Sequence, residues 1–355
     1  MPPEIKEIAC PNCSSKSIKK HGVKKKKLQT LQRYLCKSCQ RTFTLQEQAK
    51  NKTYPITTIL NSISLYNLGH SQTEIIKIIS KKYKIRPSQK TISNWINEYK
   101  TICTFQRLRN EAKKLHNPEE IIEQHTLMHN NLPYKFQIHK AKLYLLFHNK
   151  LYNNQFHNIS KFYEPIKQYL EKIPTNSFPH HIFQPKPDKP DLNELARSSQ
   201  LKFETLPFVK LTKQNQANQL VKLALNLIKN NKQRHEAVQN FMITNDSTTI
   251  ACEVPVYLTN DDIKYFQKRK FTLNLENYET PITGHIDILQ IRNGLIHILD
   301  YKPDADKINA VEQLTIYALA LASRTKLALK DFKCAWFDEN NYYEFFPLHA
   351  VYEKK

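Results

Sequence analysis

The segment from Pro281 to Tyr317 restricts the fold of this chain more than any other stretch of its sequence. Residues 286–289 form an apolar run that Asp287 interrupts, and residues 295–299 form a second run rich in β-branched side chains. Asn293-Gly294 lies between them, and an Asn-Gly pair in that position is the strongest short-range signal for a β-hairpin. The segment therefore predicts two antiparallel strands joined by a tight turn.

Each predicted strand carries charge that the hairpin would bring to one edge of a sheet. Asp287 lies within the first strand, and Asp300 and Lys302 close the second on a shared face, because side chains alternate along a strand. Carboxylates are hard oxygen ligands for Mg²⁺ or Mn²⁺, and a lysine beside them can stabilise charge at a phosphate or hold the attacking water. The pattern favours metal-dependent hydrolysis, although an Asp-x-Lys pair alone is more often a solvated salt bridge of small energetic value.

The order of three motifs resembles the PD-(D/E)xK nuclease superfamily, and within it the RecB-like exonuclease branch. The motifs are Gly284-x-x-Asp287, Asp300-Tyr301-Lys302 and Gln313-x-x-x-Tyr317. The resemblance covers the chain from about residue 201 to its end and implies an α/β restriction-endonuclease-like mixed sheet flanked by helices. It also implies that Asp287, Asp300 and the Tyr301 carbonyl bind a metal ion, while Lys302 holds water or neutralises developing charge.

The same resemblance implies a histidine on an upstream helix and a glutamate before the first strand. His235 and Glu253 are the nearest matches; His235 would assist in metal binding and Glu253 in catalysis. The sequence predicts a helix over residues 215–241 with His235 near its end, and a strand over residues 250–256 that carries Glu253. An exposed surface histidine is the alternative interpretation of His235.

The third motif falls on a helix predicted over residues 310–322. Gln313 and Tyr317 are four residues apart, so they share one face of that helix. The resemblance assigns both to the catalytic site. Ordinary packing of the Tyr317 ring is the alternative.

Two Cys-x-x-Cys pairs near the N-terminus predict a structural zinc site. Cys10 and Cys13 form the first pair and Cys36 and Cys39 the second, with 22 residues between the pairs. Four thiolates at this spacing give a tetrahedral zinc site with no open position for catalysis. Disulfides are the alternative, which the lack of a secretory signal disfavours. Residues 1–50 are therefore expected to form a zinc ribbon, and CPNC, KKHG and QRYLCKSCQRTFT resemble the ribbon of some insertion-sequence transposases.

The formal net charge of +22 is concentrated in the N-terminal part of the chain. Residues 1–100 contain 20 Lys and Arg against 5 Asp and Glu, whereas residues 201–355 contain 20 against 18. Phosphate contacts by Lys and Arg release counterions, so this distribution indicates a nucleic-acid partner, and a lysine-rich surface from an AT-rich genome would not explain the gradient. The candidate contacts in the ribbon are Lys24, Lys25, Lys26, Lys27, Arg33 and Arg41.

Residues 54–100 predict three short helices that resemble a helix-turn-helix of the transposase or resolvase kind. Ser71 and Glu74 form a capping box before the second helix, and Pro87-Ser88 leads into a third helix that contains Trp95. Many three-helix units bind no DNA, which is the alternative. The residues expected to face a major groove are Gln89, Lys90, Ser93, Asn94 and Asn97.

The remaining segments are expected to connect the predicted DNA-binding helix-turn-helix at residues 54–100, called the reader below, to the predicted nuclease domain. Residues 101–173 predict two or three helices, forming a spacer or a self-association unit, and residues 174–190 form a proline-rich, semi-rigid linker before the nuclease domain at 191–355. His125 and His129 are four residues apart, but no third metal ligand accompanies them, so they are interpreted as helix-surface histidines.

Taken whole, the chain predicts a multidomain α+β protein inside the cell. It contains no run of 18 apolar residues, and its N-terminus lacks the apolar core of a signal peptide, so a cytoplasmic protein without a membrane segment is expected. Only Cys103, Cys252 and Cys334 remain outside the ribbon, widely scattered, so no iron–sulfur cluster is expected.

These observations favour a DNA nuclease with structural Zn²⁺ and catalytic Mg²⁺ or Mn²⁺. The alternative is a DNA-binding regulator, or an accessory protein of a mobile element, whose nuclease-like domain does not cut. RNA stays open as a substrate, and the sequence leaves undecided the mode of cleavage, the target and whether the protein forms a homo-oligomer.

Overall fold

The computed structural model describes residues 8–26, 28–44, 52–129, 132–147, 157–179, 197–228, 230–275 and 280–353. Its strands are β1 (Ile18–Lys26), β2 (Gln29–Cys36), β3 (Thr42–Thr44), β4 (Ile122–His129), β5 (Leu132–His139), β6 (Leu211–Thr212), β7 (Thr249–Leu258), β8 (Ile282–Arg292), β9 (Leu295–Tyr301), β10 (Phe332–Phe337) and β11 (Tyr342–Phe345). Its α-helices are α1 (Ile56–Asn67), α2 (Gln72–Tyr83), α3 (Gln89–Tyr99), α4 (Arg109–Leu115), α5 (Lys140–Phe147), α6 (His157–Lys172), α7 (Gln216–Ala224), α8 (Arg234–Asn245), α9 (Asn260–Lys268), α10 (Val311–Thr325) and α11 (Pro347–Val351).

A small antiparallel sheet near the N-terminus carries the paired cysteines. Its strands lie in the order β1-β2-β3, and the bulge between Lys20 and Val23 places Gly22 at φ +68°. Its apolar core is small and centres on Tyr34 and Cys36, both almost completely buried. A core of this size gives little stability by itself, so a bound metal or another crosslink is needed to hold such a unit folded.

Three short helices follow, as the sequence predicts. Ser71 caps α2 by accepting a hydrogen bond from the Glu74 backbone N–H, and the Glu74 carboxylate accepts one from the Ser71 N–H. Ser88 caps α3 in the same way through the Thr91 N–H. Between α2 and α3 the backbone turns through Lys84 at φ +58°. These caps fix the starts of both helices, which makes the turn between them well defined.

The rest of the described chain is built on one eight-stranded mixed sheet. The strand order is β4-β5-β7-β8-β9-β10-β11-β6. β9 and β10 are parallel and are connected by α10, and the other neighbouring strands are antiparallel. The helix α10 is rich in Ala and Leu and is buried over most of its length, since it packs against the sheet. This mixed sheet with flanking helices is consistent with the restriction-endonuclease-like fold.

The prediction of helices across residues 101–173 is wrong for residues 122–139, which form the antiparallel hairpin β4–β5. Its apolar residues fit a helical spacing, but Phe136 and Ile138 alternate with polar residues, as in a strand, and the end of β5 is buried on both faces. β5 also gains a partner in β7, with Gln137 opposite Cys252. Eight cross-strand pairs between β4 and β5, with two more between β5 and β7, hold this segment as strands, and the hairpin extends the sheet that carries the nuclease motifs.

The single helix predicted over residues 215–241 is also wrong, because the segment forms two helices, α7 and α8. The Asn226 side chain donates to the carbonyls of Lys222 and Leu223, which ends α7 by competing with further helical hydrogen bonds. His235 consequently lies in the first turn of α8 rather than near the C-terminal end of a single longer helix.

Two large hydrophobic cores stabilise the described chain. One lies between the sheet and the helices α6, α9, α10 and α11. The other lies on the opposite side and combines α1 and α3 with α7, α8 and the sheet. Within the described residues, no helix has the length and apolar character needed to cross a membrane.

Candidate active site and cysteine cluster

The predicted hairpin of β8 and β9 is confirmed, and it aligns the two central aspartates. Asn293 and Gly294 form the turn with φ values of +51° and +79°. The pair Ile288–Leu299 fixes the register, so Asp287 and Asp300 face each other one step beyond it. Because the pairing is antiparallel, two residues far apart in sequence become cross-strand neighbours.

Asp287 and Asp300 form a closely coupled pair of carboxyl groups. Each carboxyl group shifts the pKa of the other, and the Tyr301 N–H donates to Asp287 Oδ2 over 3.1 Å. Burial raises the pKa of Asp287 to about 6, and the charge of Glu253 adds to this effect. Burial and the charge of Asp287 raise the pKa of Asp300 well above its ordinary value. The pair is therefore electrostatically strained in its doubly ionised form, a strain that a nearby cation would relieve.

Lys302 supplies positive charge beside this pair. Its Nζ atom lies 2.9 Å from Asp300 Oδ2, and the side chain is 23% exposed. Burial by itself lowers the pKa of Lys302, but the charges of Asp300 and Asp287 outweigh it and the pKa is raised. The ammonium group thus stays protonated at the edge of the site, where it is open to an anionic substrate.

Glu253 completes the acidic group from the neighbouring strand β7. It lies between the pairs Cys252–Ile288 and Val254–Ile286, which places it opposite Asp287, and its backbone adopts φ +52°. The Gln239 side chain donates to Glu253 Oε1 over 2.6 Å. Burial, together with the charge of Asp300, raises the pKa of Glu253 to about 7. A left-handed non-glycine residue in a strand is costly and is found most often at functional sites.

The structure also brings His235 to this edge. Its ring lies 5.1 Å from the Tyr301 ring, centroid to centroid, and donates a hydrogen bond to the Tyr301 backbone carbonyl. The ring is accessible to solvent, yet the surrounding protein atoms lower its pKa by burial, while Asp300 opposes that effect. His235 is thus held as a neutral imidazole next to the carbonyl that the sequence motif predicts as a metal ligand.

The helix α10 explains why the first motif requires glycine. Gln313 donates to the Tyr317 hydroxyl over 2.8 Å. A Cβ atom at Gly284 would lie 2.3 Å from Tyr317 Cε1 and 2.5 Å from Ser198 Oγ, so only glycine fits beneath the ring. Gly284 and the Tyr317 ring are therefore in direct contact. Tyr317 packs behind the aspartates, and its hydroxyl is hydrogen-bonded.

Two residues at the site carry only a weak sequence signal. Gln239 holds Glu253, and Ser198 is hydrogen-bonded to Tyr317. Both are common polar residues outside any recognised motif. The four-residue spacing from His235 to Gln239 on α8 was the available hint, since residues at this spacing share a helix face.

The donor set fits a hard divalent cation. It offers carboxylate oxygens from Asp287, Asp300 and Glu253, the Tyr301 carbonyl oxygen and a neutral His235 nitrogen, which are ligands that suit Mg²⁺ or Mn²⁺. Burial first, and the charges of the neighbouring carboxylates second, raise the pKa values of these three carboxyl groups, and a nearby cation would offset both effects. Their ligand atoms are less tightly grouped than those of the ribbon: in the described part of the chain, the four cysteines form the only group of three or more such ligand atoms that all lie within 4.8 Å of one another.

The four ribbon cysteines converge as the spacing predicts. The sulfurs of Cys10 and Cys39 are 3.6 Å apart, as are those of Cys13 and Cys36. This distance is far too long for a disulfide of about 2.05 Å and close to the edge of about 3.8 Å expected for a tetrahedron with Zn–S bonds of about 2.3 Å. Hydrogen bonds from the Cys39 and Ser38 backbones lower the pKa of Cys36 to about 6, which favours the thiolate. The cluster could hold a metal ion.

The predicted nucleic-acid contacts of the ribbon are mostly exposed. Lys24 and Lys25 project from β1 into solvent. Arg33 and Arg41 are also exposed, although Arg33 donates to the His21 carbonyl over 3.1 Å and Arg41 to Asn12 Oδ1. Lys26 ends β1, and its side chain, like the whole of Lys27, lies outside the described residues.

The candidate recognition helix α3 exposes four of its five predicted contacts, namely Gln89, Lys90, Asn94 and Asn97. Ser93 is only half-exposed and exchanges hydrogen bonds with Gln72 of α2. It is therefore engaged in holding α3 against α2.

The interpretation of His125 and His129 as helix-surface residues is wrong, because both lie on β4. His129 is buried and shares hydrogen bonds with His285 over 2.7 Å and with Thr283 over 2.9 Å. His125 is near Glu123 at 2.8 Å. The two histidines thus have separate structural partners.

Comparison with known proteins bears on the sheet and its acidic edge. The family model of the PD-(D/E)XK nuclease superfamily matches residues 156–343, a span that contains Glu253, Asp287, Asp300 and Lys302. Searches of curated proteins and of solved structures found no match. The matched span covers more than half of the sequence and coincides with the strands that assemble the candidate site. The chain therefore belongs to the PD-(D/E)XK nuclease superfamily.

Proposed function

We propose that this protein is a metal-dependent nuclease that hydrolyses phosphodiester bonds in DNA, and that it is of the RecB-like type. The observation that carries the proposal is the pairing of Asp287 with Asp300 beside a protonated Lys302. A buried carboxylate, a half-buried carboxylate and an ammonium group at one edge of a sheet are suited to binding a divalent cation and a phosphate together.

Some residues of the site are suited to bind the metal ion, and Lys302 is suited to stabilise charge on the substrate. Asp287, Asp300 and the Tyr301 carbonyl would hold Mg²⁺ or Mn²⁺, with His235 as a further ligand. The chemistry that such an ion supplies is Lewis-acid polarisation of the phosphate and a lower pKa for the attacking water. Lys302 is placed to stabilise the negative charge that develops on the phosphate, a contribution that preorganised charges make efficiently.

Glu253 is placed to accept a proton from the attacking water. Its pKa of about 7 would let it accept a proton near neutral pH, and Gln239 fixes the orientation of its carboxylate. Gln313 and Tyr317 act from behind the site, where the ring supports the backbone of Gly284 and thereby the strand that carries Asp287.

The N-terminal units are proposed to bring DNA to this site. The cysteine cluster would hold a structural Zn²⁺, and the exposed lysines of β1 would contact the phosphate backbone. The exposed residues of α3 would read the major groove, with Asn and Gln suited to adenine edges. This assignment is supported by the concentration of positive charge in residues 1–100.

The decisive experiment compares cutting of linear duplex, single-stranded and circular DNA with Mg²⁺, with Mn²⁺ and in metal-depleted buffer. Depleted buffer is preferable to a strong chelator, which would also strip the cysteine cluster. The variant Asp300→Asn should lose cutting and still bind DNA, while Asp306→Asn, at an exposed position nearby, should cut normally. Unchanged cutting by Asp300→Asn would refute the assignment, and cutting of circular DNA would identify endonuclease action.

The second candidate is a DNA-binding regulator or mobile-element accessory protein that does not cut. The looser grouping of the acidic ligand atoms, compared with the cysteines, is the observation that favours it. It predicts DNA binding without metal-dependent cleavage on any substrate. RNA as the substrate is tested in the same assays, by competition between RNA and DNA at one salt concentration.

A further inference from the structure

The helix-turn-helix and the catalytic strands share one hydrophobic core. Ile59 and Ile63 of α1 belong to the same buried cluster as Ile288, Leu299 and Tyr301 on the reverse face of β8 and β9. Tyr301 is the residue between Asp300 and Lys302, so this core extends to the catalytic motif itself. A shared core implies that the two units cannot move independently without exposing apolar surface.

Buried hydrogen bonds add a fixed register to this apolar contact. The Asn245 side chain, at the end of α8, is completely buried. It accepts a hydrogen bond from Asn67 Nδ2 over 3.0 Å and donates to Ser64 Oγ over 3.0 Å, both on α1. It also donates to the Phe241 carbonyl over 3.0 Å. Separating these buried hydrogen-bonded groups would leave them unpaired at a cost in free energy, so the bonds hold α1 in one position against α8.

The helix α8 connects this contact directly to the candidate active site. Its first turn carries His235, which contacts Tyr301, and Gln239 then holds Glu253. Asn245 lies ten residues after His235 on the same helix, a separation of about 15 Å along the axis. One short rigid element thus contacts the reader at one end and the catalytic residues at the other.

The covalent connection is equally well anchored. Arg109, at the start of α4, donates to the backbone carbonyls of Tyr66 over 2.7 Å and Gly69 over 2.8 Å, at the end of α1. The chain then enters the sheet as β4 and β5, and Ile138 of β5 pairs with Ala251 of β7. The segment between reader and nuclease is therefore part of the folded sheet and behaves unlike a free tether.

We propose that the recognition helix and the active site form one rigid unit that cuts duplex DNA internally, at a constant distance from the sequence it binds. The inference rests on the proposed nuclease function and extends it to the class of substrate and the mode of cleavage. A flexible tether would let the active site reach many positions around the bound sequence. A rigid connection permits the active site to reach only one position relative to the bound sequence.

The first test locates the cuts relative to the bound sequence. The Asp300→Asn protein would select binding sequences from a randomised duplex pool, and the enriched sequence would be placed at several positions in a circular plasmid. Wild-type protein with Mg²⁺ or Mn²⁺ should then cut each strand at a single position that moves with the inserted sequence. Scattered cuts, degradation from DNA ends only, or no enriched sequence would overturn the proposal.

Loosening the contact should broaden the cut positions. In Asn245→Ala the hydrogen bonds to α1 are lost, so the proposal expects a wider spread of cuts with unchanged affinity for the selected sequence. Asn240→Ala, on an exposed position of the same helix, is the matched control and should cut as the wild type does. A sharp, unmoved cut position in Asn245→Ala would contradict a role for this contact.

A second measurement tests the coupling without any cleavage. The chain contains two tryptophans, Trp95 in α3 and Trp336 in β10. In Trp336→Phe the remaining tryptophan, Trp95, reports unfolding of the reader. In Trp95→Phe the remaining Trp336 reports unfolding of the nuclease sheet. For each variant, the fluorescence transition in urea is compared with the transition measured by far-UV circular dichroism. Coincident transitions in both variants support one rigid unit, and separate transitions overturn it.

The two proposals fail in different ways. A protein that binds the selected sequence and cuts no DNA, while its unfolding transitions coincide, would refute the nuclease function and leave the rigid coupling supported. A protein that cuts at scattered positions would keep the nuclease function and refute the constant distance.

Discussion

At the scale of single residues, the site is organised by contacts that a sequence motif hides. Gly284 is required because the Tyr317 ring occupies the place of a side chain, and Tyr317 is fixed in turn by Gln313. Motifs separated in the chain are therefore in direct physical contact. This explains why the glycine and the tyrosine accompany the aspartates, although neither offers a metal ligand of its own.

Replacing Gly284 by alanine should destabilise the protein and reduce cutting. The added methyl group clashes with the Tyr317 ring, and overpacking of this kind costs about 1–3 kcal/mol. Urea unfolding measures the loss. In a Ser198→Ala/Tyr317→Leu background, where both the ring and the Ser198 hydroxyl are absent, Gly284→Ala should cost much less than it does in the wild type, and strictly additive losses would show that the clash is not the cause.

Replacing Lys302 by methionine should lower the turnover number by roughly 10²–10³-fold, because a preorganised charge at the phosphate is lost. DNA affinity at fixed salt should change little, as one of many positive charges is removed. The matched control is Lys333→Met on β10, whose ammonium pairs with Glu344 away from the site. Equal losses of turnover in both variants would argue for a general effect on the sheet.

At the scale of helices and strands, local signals succeeded where the partner is close in sequence. The hairpin β8–β9 was predictable because Asn293-Gly294 fixes its turn, and the capping box of α2 fixed a helix start. The hairpin β4–β5 is an exception: its strands are also neighbours in sequence, but their apolar residues fit a helical spacing as well, so periodicity alone does not identify them as strands. The break between α7 and α8 was missed because Asn226 ends a helix through side-chain bonds that apolar periodicity does not reveal.

The hairpin β4–β5 should contribute to the stability of the nuclease core. Phe136 is 1% exposed and packs in the main core, so Phe136→Ala should cost about 3–5 kcal/mol in urea unfolding. Met128 on the same hairpin is 57% exposed, and Met128→Ala should have almost no effect. A negligible cost for Phe136→Ala would mean that the hairpin is not part of the core.

The strand β9 should make the protein sensitive to acid through His297. Burial lowers its pKa from 6.5 to about 4, with Lys333 and Arg292 adding to the shift and Glu344 opposing it. Between these values the unfolded chain binds more protons than the folded one, so the free energy of unfolding falls as the pH falls from about 6.5 to about 4. In His297→Gln the urea midpoint should therefore depend less on pH in this window.

The control for this prediction is His349→Gln, at an exposed position on α11. Its urea midpoint should follow the wild-type pH dependence. If His297→Gln and the wild type lose stability equally between pH 6.5 and 4, other groups must account for the acid sensitivity.

At the scale of the whole molecule, positive charge is concentrated in residues 1–100 and the candidate acidic site lies on β7, β8 and β9, while α1 and α3 share a hydrophobic core with these strands. The gradient of charge was readable from the sequence, as were the four ribbon cysteines and the order of the nuclease motifs. The arrangement of the units was not, because Ile59, Asn67 and Asn245 have no feature that marks them as contacts between distant segments. The proline content predicts a domain boundary at residues 174–190. Residues 180–190 lie outside the described part of the chain, so this boundary stays a prediction.

The ribbon should contain one zinc ion per chain, measurable by elemental mass spectrometry on protein prepared without added metal. Cys36→Ser should lose the zinc and weaken DNA binding to a similar degree for all sequences, since the ribbon is proposed to contact phosphates. Cys103→Ala, at a buried position outside the ribbon, should retain the zinc. Full zinc content in Cys36→Ser would refute the four-cysteine site.

The pairing of β5 with β7 has a consequence for how the protein is made. β5 ends at His139 and β7 begins at Thr249, so a ribosome must synthesise the intervening chain before the two strands can meet. Until then the nascent hairpin presents an open strand edge, which is prone to aggregation. A recombinant fragment beginning at residue 191 would have the complementary defect, because β7 would lack its neighbour; expression trials should therefore keep residues 101–139 with the catalytic sheet.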